Sequence, residues 1–155
     1  MISIIKTLLE RDLQRLKSEI AQYHDEETIW HIEENIANPA GNLCLHLTGN
    51  LNTYIGAALG NTGYIRNRDL EFSAKNIRRD ELLKGIEDVM QVINKTLDKL
   101  TDDDLIKEFP MQVFENKTST GYMLVHLATH LSYHLGQVNY HRRLLDSQCI
   151  TRSNI

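Results

Sequence analysis

The histidines of this 155-residue chain are unevenly placed, and their spacing is the first sign of chemistry. His126, His130 and His134 are four residues apart, and residues four apart lie one above the other on one face of a helix. His130 and His134 can therefore direct two imidazoles at one point, which is half of a metal site. A third imidazole from a neighbouring helix would complete a set with positions open for water or substrate, as in catalytic rather than closed structural zinc sites.

His46 is the natural candidate for the third imidazole, because apolar residues such as Leu43 and Leu47 surround it on a segment that must pack inward. A buried imidazole needs a partner for each ring nitrogen, and each unmet polar group costs roughly 1–3 kcal/mol. A metal ion would remove much of that cost for three imidazoles that face a core. The other histidines are expected to be ordinary hydrogen-bonded or surface residues: His24, His31 and His141.

Four amphipathic helices would carry these side chains. Apolar residues recur at three- and four-residue steps in each of them, with charged residues between. Asn38-Pro39 marks one start, because asparagine caps a helix and proline is tolerated at its first position. The helices are expected at residues 4–20, from 38–39 to about 59, at 82–100, and from 118 or 119 to near 147.

Residues 60–79 show no helical stripe and form a connection that is long for a bundle hairpin. Fully extended at ~3.3 Å per residue it could span ~60 Å, twice the ~30 Å length of a twenty-residue helix. The connection can thus carry the chain back along the bundle. The sequence therefore predicts an all-α fold, a four-helix bundle with a long crossover between helices 2 and 3.

The segment between the third and fourth helices has little predicted structure. Thr101 and the three aspartates after it read as an acidic cap for one further helical turn, which Pro110 ends. Residues 109–114 could be extended but would lack a partner strand, and no stretch shows sustained strand alternation.

Composition and charge narrow the class of protein. A net charge of −4 and a pI near 6.0 argue against a nucleic-acid partner, and 41% hydrophobic with 25% charged residues is typical of a globular domain. The whole chain, residues 1–155, is expected to form one domain. Cys44 and Cys149 form no CxxC pair, and no apolar run approaches the ~18 residues of a membrane span, so a reducing cytoplasm is the expected location.

Two segments carry a resemblance to a known family. HLSYHLGQ at residues 130–137, preceded by LVH at 124–126, resembles the terminal-helix motif HxxxHxGQ of the DinB-like family of metal-binding four-helix bundles. PAGNLCLHLTGN at residues 39–50 is similar to the second-helix motif of that family. RNRD at 66–69, with Phe72, further resembles an uncharacterised, DUF1572-like subgroup, and helix order and linker lengths agree over essentially the whole chain.

The resemblance implies that His46, His130 and His134 bind one divalent ion, zinc or nickel, in an open groove. It also implies frequent homodimers. Some members of the family transfer low-molecular-weight thiols, and others are isomerases or have no known activity. The leading hypothesis is therefore a metal-dependent enzyme, a thiol S-transferase or a hydrolase that uses metal-activated thiol or water on a small-molecule substrate. The alternatives are a non-catalytic, stress-associated metal-binding dimer and a metal-free interaction module.

Residues around the ligands have expected supporting roles. Gln137 and Asn50 are candidates for hydrogen bonds that fix an imidazole tautomer. His126 is expected to support a ligating imidazole or act as a base beside it rather than to bind the ion, because in the family motif the following Gly-Gln defines the ligand pair. Gly136 would permit close packing beyond the ligand or simple contact between helices.

The remaining polar and aromatic candidates are assigned ordinary roles. Cys44 lies ~200° around the helix from His46 and is expected to be buried rather than a ligand. Tyr54 and Tyr133 are expected to be packing or rim residues. The charges of the long connection could bind an anionic substrate, but solvated loop charges are the commoner explanation for Arg66, Arg68 and Asp69.

Overall fold

The structure is a computed structural model that describes residues 1–146. Within this range it is all-helical and contains no strand, so the predicted all-α class is confirmed. No helix in these residues is long and apolar enough to cross a membrane. Cys149 and the predicted helix end near residue 147 lie outside the described residues. The helices are α1 (Ile2–Ala21), α2 (Ala40–Leu51), α3 (Arg68–Ser73), α4 (Arg79–Leu97) and α5 (Thr120–Leu145).

Four further segments in residues 1–146 extend or connect these helices. Helix α2 continues through a π-helical segment, Asn52–Ala57, into a last α-helical turn, Ala58–Gly60. Single 3-10 turns lie at Glu27–Trp30 and Asp102–Ile106. The chain leaves Gly60 through Asn61, whose left-handed backbone (φ 51°) ends the helix.

The core lies between four of the helices. Helix α1 packs against α4 and α5, and α2 packs against the same two helices. Leu9, Leu13, Leu16 and Ile20 on α1 are fully buried, as the three- and four-residue spacing predicts. Burying each of these side chains contributes roughly 1.5–3 kcal/mol, so packing rather than helix propensity holds α1 in place.

Helix ends agree with the capping signals to within a few residues. Ser119 caps α5, where its Oγ accepts a hydrogen bond from the amide of Tyr122 at 3.1 Å. Thr101 and Asp104 form a reciprocal capping box on the 3-10 turn, as the acidic cap predicted, although the turn ends at Ile106, before Pro110. At α2 the prediction is displaced by one residue, because Pro39 is the cap and Ala40 the first helical residue.

Two predictions about the connections are wrong. Residues 60–79 are not without helix, since Asn67 accepts a hydrogen bond from the Leu70 amide and starts α3. The extended residue Phe109 also has a partner, because its amide donates to the Thr118 carbonyl at 2.9 Å beside an isolated antiparallel bridge. Both elements are too short to show a hydrophobic period.

The buried amide of Asn42 helps to hold α3 against α2. Asn42, buried on α2, donates two hydrogen bonds through Nδ2, to the carbonyl of Glu71 at 2.8 Å and to that of Ala74 at 2.9 Å. These bonds satisfy carbonyls at the end of a short helix that would otherwise lack partners. They also bring the side chain of Glu71 against α2.

Candidate metal centre

Three imidazoles from two helices converge on one point. His130 Nε2 lies 3.3 Å from His46 Nε2 and 3.2 Å from His134 Nε2. Within the described residues these three side chains are a group whose ligand atoms all lie within 4.8 Å of one another. Helix α2 contributes His46, and consecutive turns of α5 contribute His130 and His134.

The hydrogen bonds at the other ring nitrogen fix two tautomers. His46 Nδ1 lies 3.0 Å from Glu71 Oε2, and His134 Nδ1 lies 2.6 Å from Gln137 Oε1. A carboxylate and an amide oxygen can only accept, so both Nδ1 atoms carry the proton. The Nε2 atoms of His46 and His134 therefore present lone pairs to the same point.

A neutral His130 leaves this cluster unsatisfied by protein groups alone. Its Nδ1 is buried and has no hydrogen-bond partner, and a neutral ring has one proton for two nitrogens. If that proton is on Nε2 it can serve only one of the two facing lone pairs. A divalent ion would accept all three lone pairs. The Nε2 separations also fit such an ion, because two nitrogens bound to zinc at about 2.0–2.1 Å in a tetrahedron are about 3.3–3.4 Å apart.

The lowered pKa values of two of these imidazoles also favour binding of a divalent ion. Burial, with the neighbouring imidazoles, lowers the pKa of His130 to about 4. Burial also lowers the pKa of His46, although the hydrogen bond to Glu71 opposes the shift. Both rings are therefore neutral at pH 7, so protons compete little with a metal ion for them.

Glu71 is the residue that supports His46. Its side chain is 6% exposed, and it also accepts a bidentate pair from Arg66, with Nε to Oε1 and Nη2 to Oε2 both at 2.7 Å. This pairing raises the pKa of Arg66. Nη2 of Arg66 also lies 3.2 Å from His46 Nδ1, but a guanidinium has only donors, so the ring proton is directed to the nearer carboxylate.

Gly49 makes room for that carboxylate. A Cβ at position 49 would overlap Glu71 Oε1, so any larger residue there would force the side chain out of its place. Gly49 lies on α2 one turn after His46. The glycine thus acts as a notch in α2 that receives Glu71.

Aromatic rings lie beside the cluster and beside His126. Ring centroids lie 5.0 Å apart for Phe72 and His46, and 5.1 Å apart for Tyr133 and His134. Phe114 meets His126 edge-on at 4.9 Å. His126 itself stacks on His130 at 6.0 Å and is not among the converging ligands, so it extends the wall of the site.

The structure places the other predicted site residues as follows. Gln137 contacts His134, as expected. Asn50 is buried and its Oδ1 has no hydrogen-bond partner. Within the described chain, no hydrogen bond joins Asn50 to a histidine. Gly136 is exposed, and a Cβ there would meet nothing within 4 Å, so the expected close packing is wrong for this chain. Cys44 is 1% exposed, and burial raises the pKa of its thiol to about 12, which agrees with a buried rather than a ligating residue.

The interpretation of the connection charges is wrong for one residue. Arg66 is 15% exposed and paired with Glu71, and its guanidinium lies 5.9 Å from the ring of the half-buried Tyr54. Arg68 and Asp69 are exposed, as expected of loop charges. Sequence reasoning missed Glu71 altogether. The available signal was Asn67 followed by acidic residues in the next turn, which is typical of a helix start.

Comparison with known proteins places the chain in one family. No curated protein matches it. The family model described as "Protein of unknown function (DUF1572)" matches residues 2–152, which is nearly the whole chain. The chain therefore belongs to the DUF1572 family.

Proposed function

We propose that this protein is a divalent-metal-dependent enzyme of the DinB superfamily, with one ion, zinc or nickel, held by His46, His130 and His134. The observation that supports the proposal is the convergence of three Nε2 atoms, two of them deprotonated by the hydrogen bonds at Nδ1. The proposed activity is thiol transfer or hydrolysis on a small-molecule substrate.

The fold we propose is a four-helix bundle of the DinB type. Its four members are α1, α2, α4 and α5, and the segment that contains α3 is the crossover between the second and third members. The pairwise packing of α1 and α2 against both α4 and α5 supports this arrangement. We also propose a cytoplasmic location, which suits the free thiol of Cys44.

The chemistry follows from the donor set. A bound ion would supply Lewis acidity, which lowers the pKa of a water or thiol that it binds toward about 7. Glu71 and Gln137 would hold the proton of each supported imidazole at Nδ1, so that Nε2 stays free for the ion. Phe72, Phe114 and Tyr133 would limit access of bulk water, which strengthens electrostatic interactions at the centre.

One observation favours the alternative, a non-catalytic metal-binding protein that works as a dimer. Four apolar side chains on one face of α5 are more than half exposed, and a fifth, that of Val125, is 50% exposed. Because the spacing places them in a single stripe, a second copy of this chain is the proposed partner. The stripe consists of Tyr122, Val125, Tyr133, Tyr140 and Leu144.

Metal content tests the proposal directly. Untagged protein purified without chelator should contain about one equivalent of ion per chain by plasma mass spectrometry, and His130→Ala should contain none. His31→Ala is the matched control, because His31 is exposed and pairs with Glu33 away from the cluster. Unchanged metal content in His130→Ala would contradict the ligand assignment.

A second measurement separates the enzyme from the dimer hypothesis. Tyr133→Glu should dissociate a dimer in sedimentation if the α5 stripe is its interface. The metal-loaded wild type should conjugate a low-molecular-weight thiol to a small electrophile, or hydrolyse an activated ester, faster than His130→Ala does. A metal-loaded dimer with neither activity would favour the non-catalytic alternative.

A further inference from the structure

A cavity of about 280 Å³ lies between α2, α5 and the irregular segment at residues 35–38. Leu43 contributes the wall from α2, and Gln137, His141 and Leu144 contribute the wall from α5. None of the residues that form it is a proposed metal ligand. Its volume is close to the lower end of the ~300–1,000 Å³ range of most ligand pockets, so it suits a small molecule.

The cavity lies next to the histidine cluster along the same two helices. Gln137 and His141 lie one and two turns beyond His134 on the same face of α5, and Leu43 lies one turn before His46 on α2. Seven residues of helix rise about 10 Å, so the far wall is about that distance from the cluster. Gln137 stands between the two, because its Oε1 bonds His134 Nδ1 at 2.6 Å while its side chain also lines the cavity.

His141 contributes an uncharged surface to this cavity. Its Nε2 donates to the carbonyl of His31 at 2.9 Å, so its Nδ1 must accept the hydroxyl proton of Tyr23 at 2.7 Å. Both nitrogens are therefore occupied, and burial lowers the pKa of the ring. A ligand would meet the imidazole as an apolar ring.

The other polar groups in the wall are neutral and unused. In the described residues the carboxamides of Asn35 and Asn38 and the hydroxyl of Tyr140 make no hydrogen bond, while Ile36 and Ala37 add apolar area. Among residues 1–146, none with a charged side chain lines the cavity. A charged group on a ligand would therefore find no counter-charge among the lining side chains, whereas a neutral polar group would find hydrogen-bond partners there.

We infer that this cavity binds a small, uncharged molecule with an apolar body and one amide, carbonyl or hydroxyl group. The apolar wall takes the body, and the free carboxamides of Asn35 and Asn38 take the polar group. If the proposed function holds, on which this part of the inference rests, a substrate seated here presents its reactive end past Gln137 to the metal centre. Binding itself does not require a metal.

Benzamide and benzoate are a matched pair of probes, because they have the same size and differ in charge. We expect benzamide to shift the backbone amide resonances of residues 35–38 and 137–144 in ¹H–¹⁵N spectra, and benzoate to bind at least tenfold more weakly. Ala37→Trp should fill the cavity and abolish these shifts. Ala21→Trp makes the same change at an exposed position that does not line the cavity, and it should leave them intact.

A second variant, Leu144→Lys, tests the inference even if Ala37→Trp does not fold. Leu144 is 68% exposed, so Leu144→Lys should fold and should reverse the preference, with benzoate bound more tightly than benzamide. Equal binding of both probes to the wild type, or shifts that persist in Ala37→Trp, would overturn the inference.

The same titration in His130→Ala separates the two proposals. Benzamide binding that persists in this variant, whether or not the wild type holds a metal, supports the cavity site independently of the proposed function. A wild type that holds one metal ion but shows no benzamide shifts would overturn the cavity site and leave the metal centre standing.

Discussion

Replacing Gly49 by alanine adds one methyl group to the protein and should damage the metal centre. In most helices this substitution is stabilising, by about 1 kcal/mol, because alanine loses less backbone entropy than glycine. At position 49 the new Cβ would occupy the place of Glu71 Oε1. We therefore expect the carboxylate of Glu71 to be displaced from both Arg66 and His46.

The magnitude follows from the contacts that are lost. Glu71 is 6% exposed and Arg66 15% exposed, and breaking a buried ion pair costs about 3–5 kcal/mol. Subtracting the gain of about 1 kcal/mol from helix propensity leaves a net loss of about 2–4 kcal/mol in the free energy of unfolding. Loss of the hydrogen bond to a ligating histidine typically weakens metal binding about 10–100-fold.

Two assays measure these effects separately. Urea unfolding of the metal-free protein gives the free energy of unfolding, and competition with a chromophoric chelator gives the affinity for Zn²⁺. Gly85→Ala is the matched control on α4, because a Cβ there meets nothing within 4 Å, so it should be stabilising and leave zinc affinity unchanged. Glu71→Leu, which removes the acceptor of the His46 Nδ1 proton, should reproduce the loss of zinc affinity. If Gly49→Ala behaves like Gly85→Ala in both assays, the role assigned to Glu71 is refuted.

Three further predictions concern residues outside the proposed ligand set, namely His141, Leu13 and Ser119. Because burial lowers the pKa of His141 below its usual 6.5, the unfolded chain binds more protons than the folded one as the pH falls through 6.5. The melting temperature of the metal-free protein should therefore fall from pH 7 to pH 5, and His141→Gln should remove only part of this fall, because the lowered pKa values of His46 and His130 also contribute to it. Leu13→Ala should cost about 2–5 kcal/mol in urea unfolding without loss of bound metal, since Leu13 is fully buried on α1. Ser119→Ala should cost about 1 kcal/mol, because it removes the hydrogen bond to the Tyr122 amide at the start of α5.

Features that repeat with the helical period could be predicted from the sequence, whereas single contacts between distant residues could not. The long helices and the face shared by His130 and His134 follow from three- and four-residue spacing, which depends only on helix geometry. The placement of His46 opposite them follows from its apolar neighbours on α2. The structure brings these three residues together as the spacing predicts.

The supporting residues were harder to predict because tertiary contacts define them. Glu71 and His46 are 25 residues apart and belong to different helices, and no local pattern links them. Gly49 and Gly136 are both glycines inside a helix. A Cβ at Gly49 would overlap the carboxylate of Glu71, whereas a Cβ at Gly136 would meet nothing within 4 Å. Arg66 was interpreted as a solvated charge for the same reason, since its partner lies on a helix too short to show a period.

The two halves of the candidate centre are made at different times during synthesis. His46, Arg66 and Glu71 lie within about 25 residues of chain, so this half can assemble as soon as α2 and α3 have left the ribosome. His130 follows His46 by 84 residues, so the ligand set is incomplete until most of α5 has been translated. Capture of an ion by all three proposed ligands would then be a late event in folding, later than the hydrogen bond between His46 and Glu71. A bound ion would accordingly report that the last helix has docked.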